Sequence, residues 1–255
     1  MDARGDEDPQ IWFREHFVDA VDQVFEFLDH REIPFEDAVV ADIGSGDGII
    51  DLGLAIKGRP SKLVGYDVRP TDVDALLLSA AAAGVATELP ECLSFAPSQI
   101  DGLPAPDDFF DIVVTWSVFE HVTKPVRMLS EIARVLKPGG VLFLQLWPLY
   151  HSEHGGHIWP HYDGPFPHLL HTDEEIRGHL VGRRGTDPTR DATDEYESLN
   201  RITLDGLQRA LLVAGLRTMT LELLTAAVQV PDAISHLPLS LLGVGGVKLL
   251  AVTPP

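Results

Sequence analysis

The sequence is poor in cysteine and in long apolar runs. Its 255 residues include one cysteine, Cys92, so no internal disulfide can form, and we expect a reducing compartment. No run of about 18 consecutive apolar residues occurs, which argues against a membrane-spanning helix. The opening MDARGDEDPQ is acidic and lacks the apolar core of a secretory signal. These absences predict a cytoplasmic protein with no membrane partner.

Positive charge is also scarce. Lys and Arg number 19 against 39 Asp and Glu, which gives a formal net charge of −20. A nucleic-acid-binding surface needs clustered cations that displace counterions from phosphates, and the densest basic cluster here is GRRG at 182–185. We therefore expect no nucleic acid among the partners and a small or neutral substrate instead.

Short apolar strands alternate with helices over the first 147 residues, after an amphipathic helix predicted at 11–29. This alternation indicates a mostly parallel sheet covered by helices on both faces. The predicted strands cover 38–44, 62–68, 91–98, 110–116 and 141–147, and the helices between them lie near 49–58, 71–84 and 125–140.

The regularity breaks at 148–200 and returns with a helix at 203–214 and strands at 219–227 and 246–253, which would pair antiparallel at one edge. A structureless segment as long as 148–200 is uncommon inside a compact domain and is usually functional. The predicted fold class is therefore α/β: a Rossmann-like, doubly wound, mostly parallel seven-stranded sheet. It carries an antiparallel edge strand and an inserted lid after the fifth strand.

A glycine-rich loop, DIGSGDG at 42–48, follows the first predicted strand. Its glycines at 44, 46 and 48 let the backbone turn sharply and let a ligand approach without Cβ atoms in the way. Asp67 closes the second strand nineteen residues after Gly48, where it can accept hydrogen bonds from ribose hydroxyls. The loop therefore predicts a nucleoside site at the carboxyl ends of the strands.

A nicotinamide dinucleotide is the competing ligand for this loop. Its fingerprint is G-x-G-x-x-G, and Ile49 stands where the third glycine would be. Asp42 and Asp47 add negative charge, which disfavours a pyrophosphate and favours a ligand that carries an amine and a sulfonium. The loop predicts a cationic, phosphate-free nucleoside.

Four stretches together resemble the class I S-adenosylmethionine-dependent methyltransferases, in their broad small-molecule branch. VVADIGSGDG resembles the first motif of the family, and LVGYD resembles its second-strand motif. FDIVVTWSVFEHV followed by LSEIARVLKPGGVLFL resembles its fourth-strand and fifth-strand region. The resemblance spans about residues 38–147 and implies S-adenosyl-L-methionine as cofactor and S-adenosyl-L-homocysteine as product.

The resemblance also implies which residues contact the cofactor. Many relatives place an Asp after the third strand for the adenine amino group, where this chain has FAPSQI, so Ser98 or Gln99 would take that contact. The resemblance further implies that Asp67 binds the ribose, that Val68 packs on the adenine, and that Thr115 and Trp116 border the cofactor at the end of the fourth strand. The residues implied to line the methionine moiety are Asp42, Gly44, Ser45, Gly46 and Gly48.

On this basis the chain divides into four regions. Residues 1–36 form an N-terminal helical cap, and 37–147 form the core that binds S-adenosylmethionine. Residues 148–200 form a His-rich substrate lid, and 201–255 add a helix and edge strands that complete the same core.

Methyl transfer from a sulfonium is an in-line displacement, so the acceptor must be held in line and water excluded. An oxygen acceptor of high pKa also needs a base or a metal that removes its proton. Histidine is the usual base near neutral pH, and six of the eleven histidines lie within residues 151–171. We therefore expect this segment to cover the site and to carry the acceptor.

Three histidines are candidate catalytic residues: His157, His154 and His121. The lid pattern S-x-x-G-x-H-I…P-x-P-H-L-L resembles a recurring segment of bacterial small-molecule and glycan methyltransferases, and it singles out His157 and His168. His121 follows the fourth strand in EHV, where the alternative is that Glu120 and His121 form a helix-start or structural contact. The alternative for the lid histidines is that they are polar surface or core residues without a catalytic role, and that the base lies elsewhere.

A transition-metal site is the other alternative for the lid. Glycines at 155–156 and four nearby prolines break the helical geometry that would bring histidines three residues apart together, so we assign no metal. The ligands of such a site would be His151, His154, His157 and His161, joined by Glu153 or Asp163.

The predicted function is S-adenosylmethionine-dependent O-methylation of a small molecule or glycan hydroxyl, with a histidine base. The alternative is a non-catalytic scaffold or regulatory subunit that keeps the fold. The intact glycine loop and Asp67 favour catalysis.

Overall fold

The computed structural model describes residues 9–186 and 191–254, so parts of three predicted regions, at 1–8, 187–190 and 255, lie outside the described residues. The described residues contain one seven-stranded sheet. Its strands are β1 Val39–Ile43, β2 Lys62–Asp67, β3 Leu93–Pro97, β4 Phe110–Trp116, β5 Leu136–Leu146, β6 Arg217–Thr225 and β7 Val244–Val252.

The strand order across the sheet is β3-β2-β1-β4-β5-β7-β6. Neighbours from β3 to β5 run parallel, and β7 runs antiparallel to both β5 and β6. The predicted mostly parallel seven-stranded sheet with antiparallel pairing at one edge is confirmed. The order reverses at β1, where Asp42 pairs with Gly65 on one side and Val114 on the other. In open α/β sheets, ligands bind at such a reversal.

Helices cover both faces of the sheet, and each face has its own buried cluster. One cluster joins the sheet to the helices Pro125–Val135 and Leu204–Val213, and the other joins it to the N-terminal helices and to the helices Ile49–Gly58 and Val73–Ala82. The core is therefore doubly wound, as predicted. The helices are α1 Pro9–Arg14, a π-helical segment Glu15–Ala20, α2 Val21–Asp29, α3 Ile49–Gly58, α4 Val73–Ala82, α5 Pro125–Val135, α6 Pro167–Leu170, α7 Asp173–Leu180, α8 Ala192–Ser198, α9 Leu204–Val213 and α10 Leu239–Leu242.

The helix predicted at 125–140 is wrong at its C-terminal end. The helix stops at Val135, and β5 begins with Leu136, which pairs with Phe110 of β4. A register shift then accommodates the next residues, and Gly140 O accepts a 3.1 Å hydrogen bond from Thr253 N. Residues Lys-Pro-Gly-Gly belong to a strand because they pair with β4 and with the end of β7. The helical spacing of the apolar residues before them gives no sign of this pairing.

The segment 148–200 is folded around its own small apolar cluster. Turns cover 151–166, and α6, α7 and α8 follow them. Thr172 caps α7 with a reciprocal pair: Thr172 Oγ1 accepts from Glu175 N, and Glu175 Oε2 accepts from Thr172 N. The buried members of the cluster are Tyr150, Ile158, Ile176, Leu180, Ala192, Tyr196 and Leu199.

Across 9–186 and 191–254, none of the helices combines the length and the apolar character needed to cross a membrane.

Candidate functional site

The glycine loop joins β1 to α3 at the point where the strand order reverses. Gly44 has φ +85, and a Cβ on it would lie 2.5 Å from a Val118 methyl group. Gly48 has φ +79, and a Cβ there would lie 2.8 Å from the ring of Phe95. Only glycine fits both positions, because the backbone is left-handed and the neighbours are close. Gly46 between them has no other atom closer than 4.0 Å to its Cβ position, which leaves open space over the loop.

Asp67 ends β2 beside this loop, as the parallel pairing of β1 and β2 requires. Its Oδ2 accepts a 3.1 Å hydrogen bond from Gly46 N, and its Oδ1 accepts one of 2.8 Å from Arg69 N. Val68, next in the chain, leaves 56% of its surface exposed. A partly exposed carboxylate and an apolar side chain over an open glycine loop fit the sugar and the base of a nucleoside. The residues present therefore fit S-adenosylmethionine.

Asp42 lies beneath the loop and is paired with a second buried carboxyl, Asp51 of α3. Burial raises the pKa of Asp42 to about 7, with the neighbouring Asp51 carboxyl opposing this effect and the charge of Asp67 adding to it. Burial, followed by the charge of Asp42, raises the pKa of Asp51 well above its ordinary value. Both carboxyls are therefore harder to ionise than exposed aspartates. Sequence reasoning missed Asp51, which it took only as part of a helix.

The predicted adenine contacts follow β3 directly. Ser98 N donates a 2.8 Å hydrogen bond to Asp67 O, which holds this loop beside the end of β2. Gln99 is exposed and forms an isolated bridge with Gly102. Both residues lie on the same edge of the sheet as Asp67.

The other predicted cofactor contacts are less accessible. Ser45 is buried, with its Oγ 3.3 Å from Thr71 Oγ1. Thr115 is fully buried in β4, and Trp116 is half-buried and stacks on Phe143 at 6.2 Å. Their predicted contact with the cofactor stays a prediction.

The N-terminal helix reaches the glycine loop through one hydrogen bond. Trp12 Nε1 donates to Asp47 Oδ2 at 2.8 Å, and the ring of His16 stacks on Trp12 at 3.9 Å. Phe13 points instead into the core. Spacing alone could not assign Trp12 to the loop, because the contact joins residues 35 positions apart.

Two of the three predicted catalytic histidines meet where the lid touches the end of β4. His121 ends a 3₁₀ turn, Phe119–His121, and its ring lies 5.0 Å from the ring of His157 in the lid. His157 is 6% exposed and has φ +54, a strained backbone that proteins keep mainly at functional positions. Asn200 fixes the turn against the lid, since its side chain donates to Phe119 O and Val122 O at 2.8 and 2.9 Å.

Helix α8 orients both histidines. Glu195, 2% exposed, accepts a hydrogen bond from His157 Nδ1 at 3.0 Å and also accepts from the hydroxyl and amide of Thr186. Ser198 Oγ donates to the Glu195 carbonyl at 2.7 Å, so at its 2.7 Å contact with His121 Nδ1 it accepts. These hydrogen bonds place a hydrogen on Nδ1 of both rings, and in that neutral tautomer Nε2 is the nitrogen with the lone pair. His157 Nε2 is buried, with no hydrogen-bond partner in the part of the chain that the structure describes.

Sequence reasoning missed Glu195 and Ser198. Their spacing of three residues places them on one face of a helix, which was the available signal. Nothing in the sequence showed that this face packs against His157 and His121, because the contacts span 38 and 77 positions.

The remaining lid histidines lie elsewhere. His154 Nε2 is 3.8 Å from Glu153, and its ring is 5.3 Å from Trp159. Burial lowers the pKa of His168 to about 3, so this side chain is a neutral core residue that packs edge-on against Tyr150. His161 Nε2 contacts the carbonyl of Arg184 at 2.7 Å, which requires hydrogen on Nε2.

One group of side chains in the described residues has potential ligand atoms close enough together to bind a metal ion. Glu120, His121 and His157 each offer one ligand atom, and these three atoms lie within 4.8 Å of one another. Of the lid ligands considered from the sequence, His157 alone belongs to this group among residues 9–186 and 191–254.

Comparison with known proteins gives a match to a family described as methyltransferase domain, over residues 41–144. A similar relative is the ubiquinone biosynthesis O-methyltransferase of Parvibaculum lavamentivorans, which is 30% identical over 118 residues. That match covers 46% of this chain and 44% of the relative, so the chain spans less than half the length of this curated relative.

Solved structures of a methyltransferase and of a cyclase are similar over nearly the whole chain. An S-adenosylmethionine-dependent methyltransferase from Mesorhizobium loti has a TM-score of 0.55 at 18% identity, with 91% of this chain and 99% of that chain covered. The [4+2]-cyclase SpnF has a TM-score of 0.57 at 19% identity, with 91% and 80% covered. At these identities the likeness shows the fold alone.

The matched domain contains the glycine loop, Asp67 and the end of β4, and the sheet around them has the strand arrangement expected from the sequence. Residues 41–144 therefore form a methyltransferase domain, and the chain has the fold of the S-adenosylmethionine-dependent methyltransferases.

Proposed function

We propose that the protein transfers the methyl group of S-adenosylmethionine to an oxygen atom of a small molecule or glycan, with His157 as the base. The observation that carries this proposal is the buried Nε2 of His157, which has no hydrogen-bond partner in the described chain while Glu195 holds the other ring nitrogen. The relatives named ubiquinone biosynthesis O-methyltransferase support an oxygen acceptor.

The cofactor end of the site is the glycine loop with Asp67. Bound S-adenosylmethionine supplies an electrophilic methyl group on a sulfonium. The Asp67 carboxylate accepts hydrogen bonds from the ribose hydroxyls, and Val68 packs on the adenine beside Ser98 and Gln99. The acidic loop suits the positive charge of the ligand, while Gly46 leaves the room that the ligand needs.

The acceptor end is the junction of the lid with the turn at Phe119–His121. The acceptor hydroxyl gives its proton to His157 Nε2, and the positive charge that then forms on the ring is stabilised by the buried Glu195 carboxylate. His121 stands beside it as a second polar group, oriented by Ser198. His154, at the exposed side of the same segment, is the third candidate and contacts Trp159.

The fold itself does not determine the chemistry, as its likeness to a [4+2]-cyclase illustrates. The test therefore has two parts. Calorimetry should show that S-adenosylhomocysteine binds and that NAD does not. Radiolabelled S-adenosylmethionine, incubated with a small-molecule extract, should then give labelled product, and a base-stable ether would identify oxygen as the acceptor. Binding without turnover on any extract would favour the scaffold alternative.

A further inference from the structure

We infer that Glu120, His121 and His157 form a binding site for one divalent transition-metal ion. Its assigned role in catalysis rests on the proposed function, since that role presupposes an oxygen acceptor. Its existence does not, because metal binding can be measured without cofactor or acceptor.

The first argument is the distance between the donor atoms. One ligand atom from each side chain lies within 4.8 Å of the other two. Ligand atoms lie about 2.0–2.2 Å from zinc, so two ligands of one ion are at most about 4.4 Å apart. In a tetrahedral site the donor atoms of one zinc ion are about 3.4 Å apart, so closing the group around an ion requires each donor to move by up to roughly 0.8 Å, which side-chain rotation can supply. Glu120 and His157 are 3% and 6% exposed and His121 is half-buried, so the group is enclosed by protein except on the side of His121.

The second argument is the orientation of His157. Its Nδ1 hydrogen is held by the buried carboxylate of Glu195, and its Nε2 lone pair has no hydrogen-bond partner among the described residues. A histidine that binds a metal through one nitrogen usually donates the other N–H to a carboxylate or carbonyl, which fixes the ring and strengthens the ligand. Glu195 has this relation to His157.

The third argument is that His121 is held in the same way. Ser198 accepts its Nδ1 hydrogen and is itself fixed by donating to the Glu195 carbonyl. The two histidines come from different elements, and each is held in place by a hydrogen bond at Nδ1. Their arrangement is therefore fixed by the fold, as the ligands of a metal site usually are. Both anchors come from one helix, α8.

The donor set selects the class of ion. Two imidazole nitrogens and one carboxylate suit zinc, iron(II), cobalt or nickel, whereas magnesium and calcium prefer oxygen ligands throughout. Three protein ligands leave at least one coordination position open, which is the arrangement of a catalytic site.

An open position at this place gives the ion a role in proton removal. The acceptor hydroxyl would coordinate there, which lowers its pKa, and its proton would pass to solvent. The alkoxide oxygen then forms the bond to the methyl carbon as the sulfur–carbon bond breaks, and neutral S-adenosylhomocysteine leaves. In the metal-bound enzyme His157 is a ligand, and in the metal-free enzyme it is the base.

The experiment uses the untagged full chain, stripped with a chelator and titrated with zinc alone in a calorimeter. We expect one equivalent to bind. We expect His157→Ala and Glu120→Gln to weaken that affinity at least tenfold, and His171→Ala, which removes an exposed histidine of the same segment, to leave it unchanged. Cobalt substituted for zinc should show visible bands that shift in both site variants.

Absence of zinc binding to the wild type would overturn the inference, and so would equal affinity in wild type and Glu120→Gln. The Glu120→Gln variant decides the matter if His157→Ala does not fold, which a thermal melt would show. Affinity for S-adenosylhomocysteine, measured on the same preparations, reports separately on the proposed function. Failure of that binding with intact zinc binding would refute the methyltransferase proposal and leave the metal site standing.

Discussion

The two ends of the proposed site are built in different ways. The cofactor end consists of backbone turns and one carboxylate at the ends of neighbouring strands, and its key contact, Gly46 N to Asp67 Oδ2, joins residues 21 positions apart. The acceptor end gathers side chains from the turn after β4, from the lid and from α8, and its contact between His121 and Ser198 joins residues 77 positions apart. Residues that meet because neighbouring strands end side by side can be recognised from a short sequence motif. Residues that meet because an inserted segment packs against the core cannot.

The largest expected effect separates the two ends. His157→Ala should lower turnover by about 10²–10⁴-fold, because it removes the group that takes or directs the acceptor proton. Affinity for S-adenosylhomocysteine should stay within about twofold, since the glycine loop is untouched. Steady-state kinetics with calorimetry would measure both, and His171→Ala is the matched control. Equal turnover in the two variants would make His157 a structural residue.

The opposite result is expected for the cofactor end, where a substitution should weaken cofactor binding. Asp67→Ala should weaken binding of S-adenosylhomocysteine at least tenfold, or about 1.4 kcal/mol, because the ribose hydroxyls lose their acceptor. The exposed Asp74→Ala in α4 serves as the control for removal of a negative charge nearby. Unchanged affinity by calorimetry in Asp67→Ala would refute the placement of the ribose.

A smaller effect is expected beneath the glycine loop, where Asp42 and Asp51 are buried together. The folded-state pKa of Asp42 is raised to about 7, so the folded protein loses stability as pH rises from about 4 to about 7 and levels off above that. Asp51→Asn would let an amide donate to Asp42 and remove the repulsion. It should therefore raise the free energy of unfolding at pH 8, by about 1 kcal/mol or more, and change it little at pH 4. Urea melts at the two pH values measure this, and an equal change at both would contradict the account.

The smallest expected effect concerns the lid alone. Thr172→Ala removes the reciprocal cap of α7 and should cost about 1 kcal/mol of local stability. Hydrogen exchange should speed up in α7 and leave the glycine loop unchanged, since the lid has its own apolar cluster. Faster exchange across the whole chain would show instead that the lid and the core unfold as one unit.

The sequence predicted the core well because its signals are local. Apolar runs between helices, the glycines at 44, 46 and 48, and the acid at the end of β2 depend on near neighbours and on parallel pairing. The prediction failed at Leu136, where pairing with Phe110 overrides the continuing helix pattern.

The acceptor end could be predicted only in part. His157 and His121 were chosen for their chemistry and position, but Glu195, Ser198 and Glu120 were not, because tertiary packing of α8 brings them together. Asp51 went unnoticed for a related reason. A single acidic residue in a predicted helix gives no sign that it faces another buried carboxyl.

The most direct test of the separation between the two ends is one set of titrations with S-adenosylhomocysteine. The account predicts that wild type and His157→Ala bind one equivalent with similar affinity, while Asp67→Ala binds at least tenfold more weakly. Failure of the wild type to bind, or an equal loss of affinity in the two variants, would contradict the assignment of cofactor and acceptor to different ends of the site.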